Sequence, residues 1–136
     1  MGTVYTELTL ENAADVLDAY RARISERDIR TLIVEAMVDT GAESLVINEE
    51  VCEKLGLKTW GERELTLADG TRHVYDLMEP VRIHWKDRDM FCLPTLVPGA
   101  DEILLGAVSL QEMDLIVDAK QEKLTGRHGD RPLSRA

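Results

Sequence analysis

Aromatic residues and cysteines are scarce in this sequence, and it has few basic residues relative to acidic ones. The chain of 136 residues holds one Phe, two Trp, three Tyr and two Cys. Its hydrophobic fraction of 44% is typical of a globular domain and excludes general disorder. Aliphatic side chains must therefore supply most of the core, and the length suits one domain that folds without disulfides or metals.

The shortage of positive charge restricts the partners. The formal net charge is -10, whereas binding to a nucleic-acid backbone needs a basic surface, so we expect no nucleic-acid partner. No apolar run approaches the roughly 18 residues of a membrane span, and the N-terminus lacks the pattern of a secretory signal. We expect a cytoplasmic protein without a membrane partner, which attracts neutral or basic ligands more readily than acidic ones.

Neither the cysteines nor the histidines show the spacing of a metal site. Cys52 and Cys92 form no C-x-x-C motif, so we expect two free thiols in a reducing compartment, with a single disulfide as the alternative. His73, His84 and His128 also lack metal-ligand spacing. No glycine-rich loop has phosphate-binding spacing, and we expect neither a metal nor another cofactor.

Alternating apolar residues predict a mostly β chain. Single strands are predicted over 3–10, 29–38, 44–47 and 102–106, and hairpins over 62–77, 80–97 and 114–126. The first hairpin is expected to turn at Asp69-Gly70 in a type I′ turn, and the second near Lys86–Arg88. About eight or nine short strands with regular turn signals are typical of a small β-barrel or sandwich.

Two or three short helices complete the predicted fold. Asn12 is a plausible N-cap for a helix within 11–23, and Asn48 for one within 48–57 that ends at Gly56. Residues 107–113 are predicted to form one or two helical turns, with Ser109 as a possible cap. The tail, residues 127–136, is expected to be disordered.

Asp39 lies in an unusual setting for a lone carboxylate. It follows the apolar run 29–38 and is followed by Thr40, Gly41 and further apolar residues. Burying an unpaired carboxylate costs roughly several kcal/mol. A hydrogen-bonded turn would satisfy it locally but does not explain the apolar strands on both sides. A turn between two buried strands can instead present the carboxylate from a rigid base.

The segments "MVDTGA" (37–42) and "ILLGAVSLQEM" (103–113) together resemble the two hallmarks of the retropepsin-like aspartic proteases, in particular their small bacterial members. The second hallmark here consists of Leu104, Leu105 and Gly106. The predicted hairpin between the two segments stands where the family has its flap. The resemblance covers about residues 30–125 and implies a closed, acid-protease-type β-barrel. On this resemblance, residues 1–126 form one domain, in which residues 1–28 are an N-terminal strand-and-helix extension.

The resemblance implies a homodimeric aspartic endopeptidase acting on peptides or proteins. In that mechanism two close carboxylates share one proton, and the ionised one activates a water while the protonated one donates to the scissile carbonyl. This chain has a single Asp-Thr-Gly, so the second Asp39 must come from another copy related by a twofold axis. By similarity, Thr40 grips the partner's backbone across the axis, and Gly41 admits the substrate backbone.

Further roles and two departures also follow from the resemblance. The substrate-binding residues would be Ala42, Glu43, Asp69 and Gly70. Ala107 stands where family members often carry an Arg or Asn, so Glu43 lacks the expected arginine partner. The flap tip is polar rather than glycine-rich, and Asp69 is expected to shift the pH optimum or to favour basic substrate side chains. The dimer sheet would use residues 3–10 or 123–126.

Two other functions remain open at this point. The same dimeric fold could serve as a catalytically inactive module that binds peptides or proteins, a hypothesis favoured by Ala107 and the polar flap tip. Alternatively, a β-barrel domain could have an assembly role in which Asp39 is only a hydrogen-bonded turn residue.

Overall fold

The computed structural model describes residues 3–129 and is mostly β, with a few short helices. Its helical segments are α1 (Ala13–Tyr20), a 3-10 turn (Glu26–Asp28), α2 (Glu49–Leu55) and α3 (Ala107–Glu112). Its strands are β1 (Tyr5–Asn12), β2 (Thr31–Val38), β3 (Val46–Ile47), β4 (Thr59–Thr66), β5 (Arg72–Met78), β6 (Val81–Trp85), β7 (Arg88–Cys92), β8 (Thr95–Leu96), β9 (Ile103–Leu105), β10 (Leu115–Asp118) and β11 (Lys123–Gly126). The prediction of a β-rich chain is confirmed.

Nine strands form one curled, half-barrel sheet in the order β4-β5-β8-β3-β9-β2-β1-β6-β7. Two neighbouring pairs, β2 with β9 and β3 with β8, run parallel. Strands β10 and β11 form a separate antiparallel hairpin. Because β2 and β9 are parallel, the loops that follow them leave the sheet at the same end, which brings residues 39–44 next to the start of α3.

Aliphatic side chains fill the concave side of the sheet. Leu8, Leu10, Leu45, Ile47 and Leu105 are completely buried. Each such side chain contributes roughly 1.5–3 kcal/mol relative to an exposed one. The expectation from the scarcity of aromatic residues is therefore confirmed.

The predicted caps of the first two helices are confirmed. The Asn12 side chain accepts a hydrogen bond from the Asp15 amide at 3.1 Å, and the Asn48 side chain accepts one from Val51 at the same distance. Gly56 follows α2 in the left-handed region with a φ of 65°. These caps satisfy amides at the helix starts that have no partner within the helix.

Ser109 does not cap α3, contrary to the prediction. The helix begins earlier, with Gly106 at the N-cap position, and Ser109 lies buried inside the helix. The first amides of α3 bond to carbonyls of the preceding loop instead: Ala107 donates to Ala42 and Val108 donates to Glu43. A cap supplied by distant backbone leaves no signal in the local sequence.

The type I′ turn predicted for Asp69-Gly70 is also wrong. The β4–β5 hairpin turns over Leu67–Thr71, and only Gly70 in that turn has a positive φ, 83°. The Asp69 carboxylate accepts hydrogen bonds from the Thr71 amide at 2.9 Å and hydroxyl at 2.6 Å. This side-chain turn replaces the left-handed conformation that a type I′ turn requires at Asp69.

The remaining hairpins agree with prediction apart from one interruption. Strands β6 and β7 turn at Lys86–Asp87. The second strand of that hairpin stops before Pro94, and Thr95–Leu96 then pairs with β3 and β5.

Cys52 and Cys92 are free thiols, and burial raises the pKa of Cys92 to about 12.

The start of the predicted tail is held by hydrogen bonds. The Arg127 amide donates to the Asp114 carbonyl at 2.9 Å. The buried Arg88 guanidinium donates to the carbonyls of Met113, Asp114 and Gly129. Residues 130–136 of that tail lie outside the described residues.

Replacing Asp15 by Asn tests the ion pair that joins α1 to the start of β2. Arg30 donates from Nε and Nη2 to the two Asp15 carboxylate oxygens at 2.8 and 3.0 Å, and this lowers the pKa of Asp15 below 3.8. A carboxyl group whose pKa is lower in the folded state stabilises the fold above about pH 4. This stabilisation is lost as the pH falls through the folded-state pKa. We expect Asp15→Asn to cost about 1–3 kcal/mol at pH 7, as measured by urea unfolding.

At pH 3 the difference between wild type and Asp15→Asn should shrink. The matched control is Asp18→Asn, which removes a carboxylate from an exposed pair with Arg23 at 3.8 Å and should cost less than about 1 kcal/mol. An equal cost of Asp15→Asn at both pH values would contradict the account.

Candidate active site

Asp39 begins the loop between β2 and β3, and its backbone is tied to β9. Its amide donates to the Leu105 carbonyl at 3.0 Å, which extends the parallel pairing of Val38 with Leu105 by one residue. Asp39 is half-buried, whereas Thr40 and Gly41 are exposed. Residues 39–44 are called the Asp39 loop below.

One oxygen of the Asp39 carboxylate is used to shape this loop. Oδ1 accepts a hydrogen bond from the Gly41 amide at 2.9 Å, and the Asp39 carbonyl accepts one from Ala42 at 3.1 Å. The hydrogen-bonded turn, considered above as an alternative, is therefore present. The other oxygen, Oδ2, accepts no hydrogen bond from any group within residues 3–129, so it is available to a ligand.

Gly106 locks the Asp39 loop against the start of α3. A Cβ at this position would lie 2.6 Å from the Ala42 carbonyl oxygen and from the Glu43 carbonyl carbon, and 2.7 Å from the Ser44 nitrogen. The Ala107 amide donates to the Ala42 carbonyl at 2.8 Å. Only glycine permits this approach, so the two sequence hallmarks form one physical unit.

The other two hallmark residues support the same unit from β9. Leu104 pairs with Met37 and Leu105 with Val38 in the parallel register, and Leu105 is completely buried. The structure thus brings together Asp39, the loop that follows it and the segment 104–106.

Asp69 and Gly70 are not hydrogen-bonded to this unit within the described residues. They form the exposed tip of the β4–β5 hairpin, and none of the hydrogen bonds of the described residues joins them to the Asp39 loop. The hydrogen bond from the Thr71 side chain lowers the pKa of Asp69. The tip therefore carries a negative charge at neutral pH.

Two grooves flank the Asp39 loop, and Asp39 lines neither of them. The larger, of about 790 Å³, is called the Thr40 groove. It is lined by Thr40, by residues of α3 and β10, by Asp114 between them, and by Arg127 and His128 after β11. The smaller, of about 410 Å³, is called the Arg63 groove. It is lined by Glu43 and Ser44, by Arg63 of β4, by residues 90–93, and by Val108 and Glu112 of α3.

Arg63 is a candidate site residue that the sequence analysis missed. Its Nη1 donates to the Ser44 hydroxyl at 3.5 Å, the limit of a hydrogen bond. In the sequence, Arg63 alternates with Glu62 and Glu64 and shares a strand face with Leu65. Nothing in the sequence, however, indicates that this strand folds over the Asp39 loop.

The described part of the chain offers no alternative site built on a metal. Within residues 3–129 there is no group of three or more His, Cys, Asp or Glu side chains that could hold a metal ion. In the same range no helix is long and apolar enough to span a membrane.

Comparison with known proteins points to a single family. Residues 23–112 match the family model described as "gag-polyprotein putative aspartyl protease". The fold is similar to the retroviral protease-like domain of Ddi1 from Leishmania major, with a TM-score of 0.58 and 14% identity over 99% of this chain and 96% of that one. A retropepsin-like aspartic protease from Rickettsia conorii has a TM-score of 0.41 and 18% identity over 87% and 89%. No curated protein matches the sequence.

Replacing Gly106 by Ala tests the contact between the two hallmarks. The added methyl must displace the backbone of the Asp39 loop, so we expect a loss of about 1–3 kcal/mol in the free energy of unfolding, measured with urea. Gly61→Ala is the matched control, because a Cβ there meets nothing within 4 Å and its φ is not positive. Equal stability of the two variants would contradict the contact.

Proposed function

The chain belongs to the retropepsin-like aspartic proteases, and on that premise we propose that it is a homodimeric aspartic endopeptidase. The observation that carries the proposal is the geometry of Asp39. Its carboxylate stands on a loop clamped between β9 and α3, with Oδ2 free of hydrogen bonds from the described residues. A rigid base with one open carboxylate oxygen is what a general base needs in order to hold a water.

The chemistry requires a second carboxylate. An ionised Asp39 accepts a proton from water, and a protonated Asp39 donates one to the carbonyl of the scissile bond. One group cannot do both at once, and two neighbouring carboxylates share a single proton because like charges at close range cannot both ionise. We therefore propose that Asp39 of a second copy completes the site about a twofold axis.

The Thr40 groove is the surface that best suits the second copy. Thr40 lines it beside Asp39, and apolar residues of α3 and β10 form its walls, Ile116 of β10 being 43% exposed. Within the described residues β10 pairs only with β11, so its other edge is open. An open strand edge can pair with its own copy.

The N-terminal strand is less suited to that role. Strand β1 pairs with β2 along almost its whole length and with β6 along its second half. Of the two segments considered from the sequence, 123–126 is therefore favoured over 3–10, as part of the β10–β11 hairpin. In this proposal Thr40 grips the partner's backbone and Gly41 faces the substrate.

A closed barrel and a covering flap also belong to the proposal. The hydrogen-bonded order of the large sheet ends at β4 and β7, yet Arg63 of β4 and Met90 and Phe91 of β7 line the same groove. Both edge strands thus contribute residues to one groove, which supports the proposal of closure through side chains. The β4–β5 hairpin, with Asp69 and Gly70 at its tip, would cover a peptide lying beside Ala42 and Glu43.

Two expectations about setting and charge extend the proposal. A cytoplasmic location fits the two free thiols. No metal or other cofactor takes part, since the dyad supplies both the acid and the base. The charge of Asp69 near the bound peptide is expected to favour basic residues close to the scissile bond.

A non-catalytic module that binds peptides is the second candidate. Ala107 contributes only its amide to the Asp39 loop, and Glu43 makes no ion pair with any described residue. The loop is thus braced by backbone alone on this side. Such a loop could hold a peptide without aligning two carboxylates for chemistry.

Replacing Asp39 by Asn separates the two candidates. An amide cannot act as a general base, so cleavage of a peptide library between about pH 4 and 8 should fall by at least about a hundredfold. The fold and the dimer should survive, and Asp101→Asn, the same change at an exposed carboxylate, should cleave like wild type. Cleavage by Asp39→Asn at the wild-type rate would exclude Asp39 as the catalytic group.

A charge on β10 tests the proposed dimer surface. Ile116→Glu puts two carboxylates against each other across a twofold interface, so the variant should sediment as a monomer and lose cleavage. Ile33→Glu makes the same change on β2, where Ile33 is 63% exposed, and should remain a dimer. A wild-type protein that sediments as a monomer at about 100 μM would contradict the dimer.

A further inference from the structure

Arg63 lies on the side of β4 that faces the groove. Along this strand Gly61, Arg63 and Leu65 are half-buried, whereas Glu62 and Glu64 are exposed. Side chains alternate between the two faces of a strand, so Arg63 belongs to the inner face although it is charged. A guanidinium that is partly shielded from water gains from an acceptor in exchange.

The structure offers Arg63 only a weak acceptor. Its Nη1 lies 3.5 Å from the Ser44 hydroxyl. Among the described residues no carboxylate lies within 4 Å of its guanidinium. Glu43 and Glu112 line the same groove but do not pair with it. The guanidinium therefore retains most of its five donors for a group that enters the groove.

The groove borders the Asp39 loop. Ser44 and Glu43 belong to the Asp39 loop, and Val108 comes from the first turn of α3, whose amide holds the Glu43 carbonyl at 2.9 Å. Met90 and Cys92, which occupy half-buried positions of β7, form an apolar wall of the groove. A peptide that reaches Asp39 can thus place one of its side chains in the groove, with methylenes against the wall and a polar end at Arg63.

We propose that Arg63 determines substrate specificity by binding an acidic side chain of the peptide. The inference rests on the proposed function. A guanidinium matches a carboxylate with two parallel hydrogen bonds, which are stronger than bonds between neutral groups. The preference would apply to a residue near the groove, away from the scissile bond, and differs from the basic preference expected from Asp69 at the flap tip.

The net charge of the chain does not prevent this recognition. A charge of -10 slows the approach of an acidic peptide, but at physiological ionic strength charges beyond about 8 Å are screened. The contact between Arg63 and a bound carboxylate is short-ranged and half-buried, and is therefore screened much less. The preference should appear as a difference between peptides within a series of equal length.

The test compares peptides that share one cleavable core. Each carries a single Glu, Gln or Lys at one of the positions flanking the scissile bond, and kcat/KM is measured at about 150 mM salt. At one position wild type should prefer Glu to Gln by about tenfold. Arg63→Gln should reduce that ratio to about twofold or less, and Arg63→Glu should reverse the preference towards Lys.

Arg72→Gln is the matched control. It removes the same charge from the same hairpin, but Arg72 is exposed and pairs with Glu64 on the outer face at 3.8 Å. The control should keep the wild-type ratio of Glu to Gln. If Arg63→Gln also keeps that ratio, the inference is wrong. A lower melting temperature of Arg63→Gln with an unchanged ratio would show instead that Arg63 serves the fold.

A binding measurement separates this inference from the proposed function. Fluorescein-labelled versions of the same peptides are titrated into Asp39→Asn with and without Arg63→Gln, and polarisation is recorded. A preference for Glu that depends on Arg63 supports the inference even if wild type cleaves nothing, which would overturn only the protease. Cleavage without that preference overturns only the role of Arg63. If the protein neither cleaves nor binds the peptides, both proposals are overturned.

Discussion

The close approach between Gly106 and the Asp39 loop is the constraint on which the rest of the site depends. Parallel pairing of β2 with β9 delivers the two segments to the same end of the sheet. The missing side chain at Gly106 then lets the loop backbone approach to distances that no Cβ allows. Asp39 is fixed as a consequence: its amide is bound to β9, and Oδ1 is committed to Gly41. Within residues 3–129 nothing donates to Oδ2, which is left for chemistry.

Features that depend on local chemistry were predictable from the sequence. The caps at Asn12 and Asn48 and the left-handed Gly56 follow from short-range rules and are found in the structure. The joining of Asp39 to the segment around Gly106 was predictable only through the family resemblance, since no local rule links positions so far apart. The family match and the fold confirm that resemblance.

Features that depend on distant partners could not be predicted from the sequence. Ser109 is a good cap residue, but α3 is capped by carbonyls of the Asp39 loop, so the helix starts earlier. Asp69-Gly70 favours a type I′ turn, but a hydrogen bond from Thr71 to Asp69 selects a longer loop. In the sequence, Arg63 is one of several charged residues on an alternating strand. Its position beside Ser44 depends on how the sheet curls, which no local pattern records.

The central claim is that one active site needs Asp39 from two chains, and mixing wild type with Asp39→Asn tests it most directly. Subunits are exchanged at constant total concentration, and cleavage is measured against the wild-type fraction. If both carboxylates are required, only dimers with two wild-type chains act, so the rate should follow the square of that fraction. A rate that falls in direct proportion to the fraction would mean that each chain acts alone, and would contradict the account.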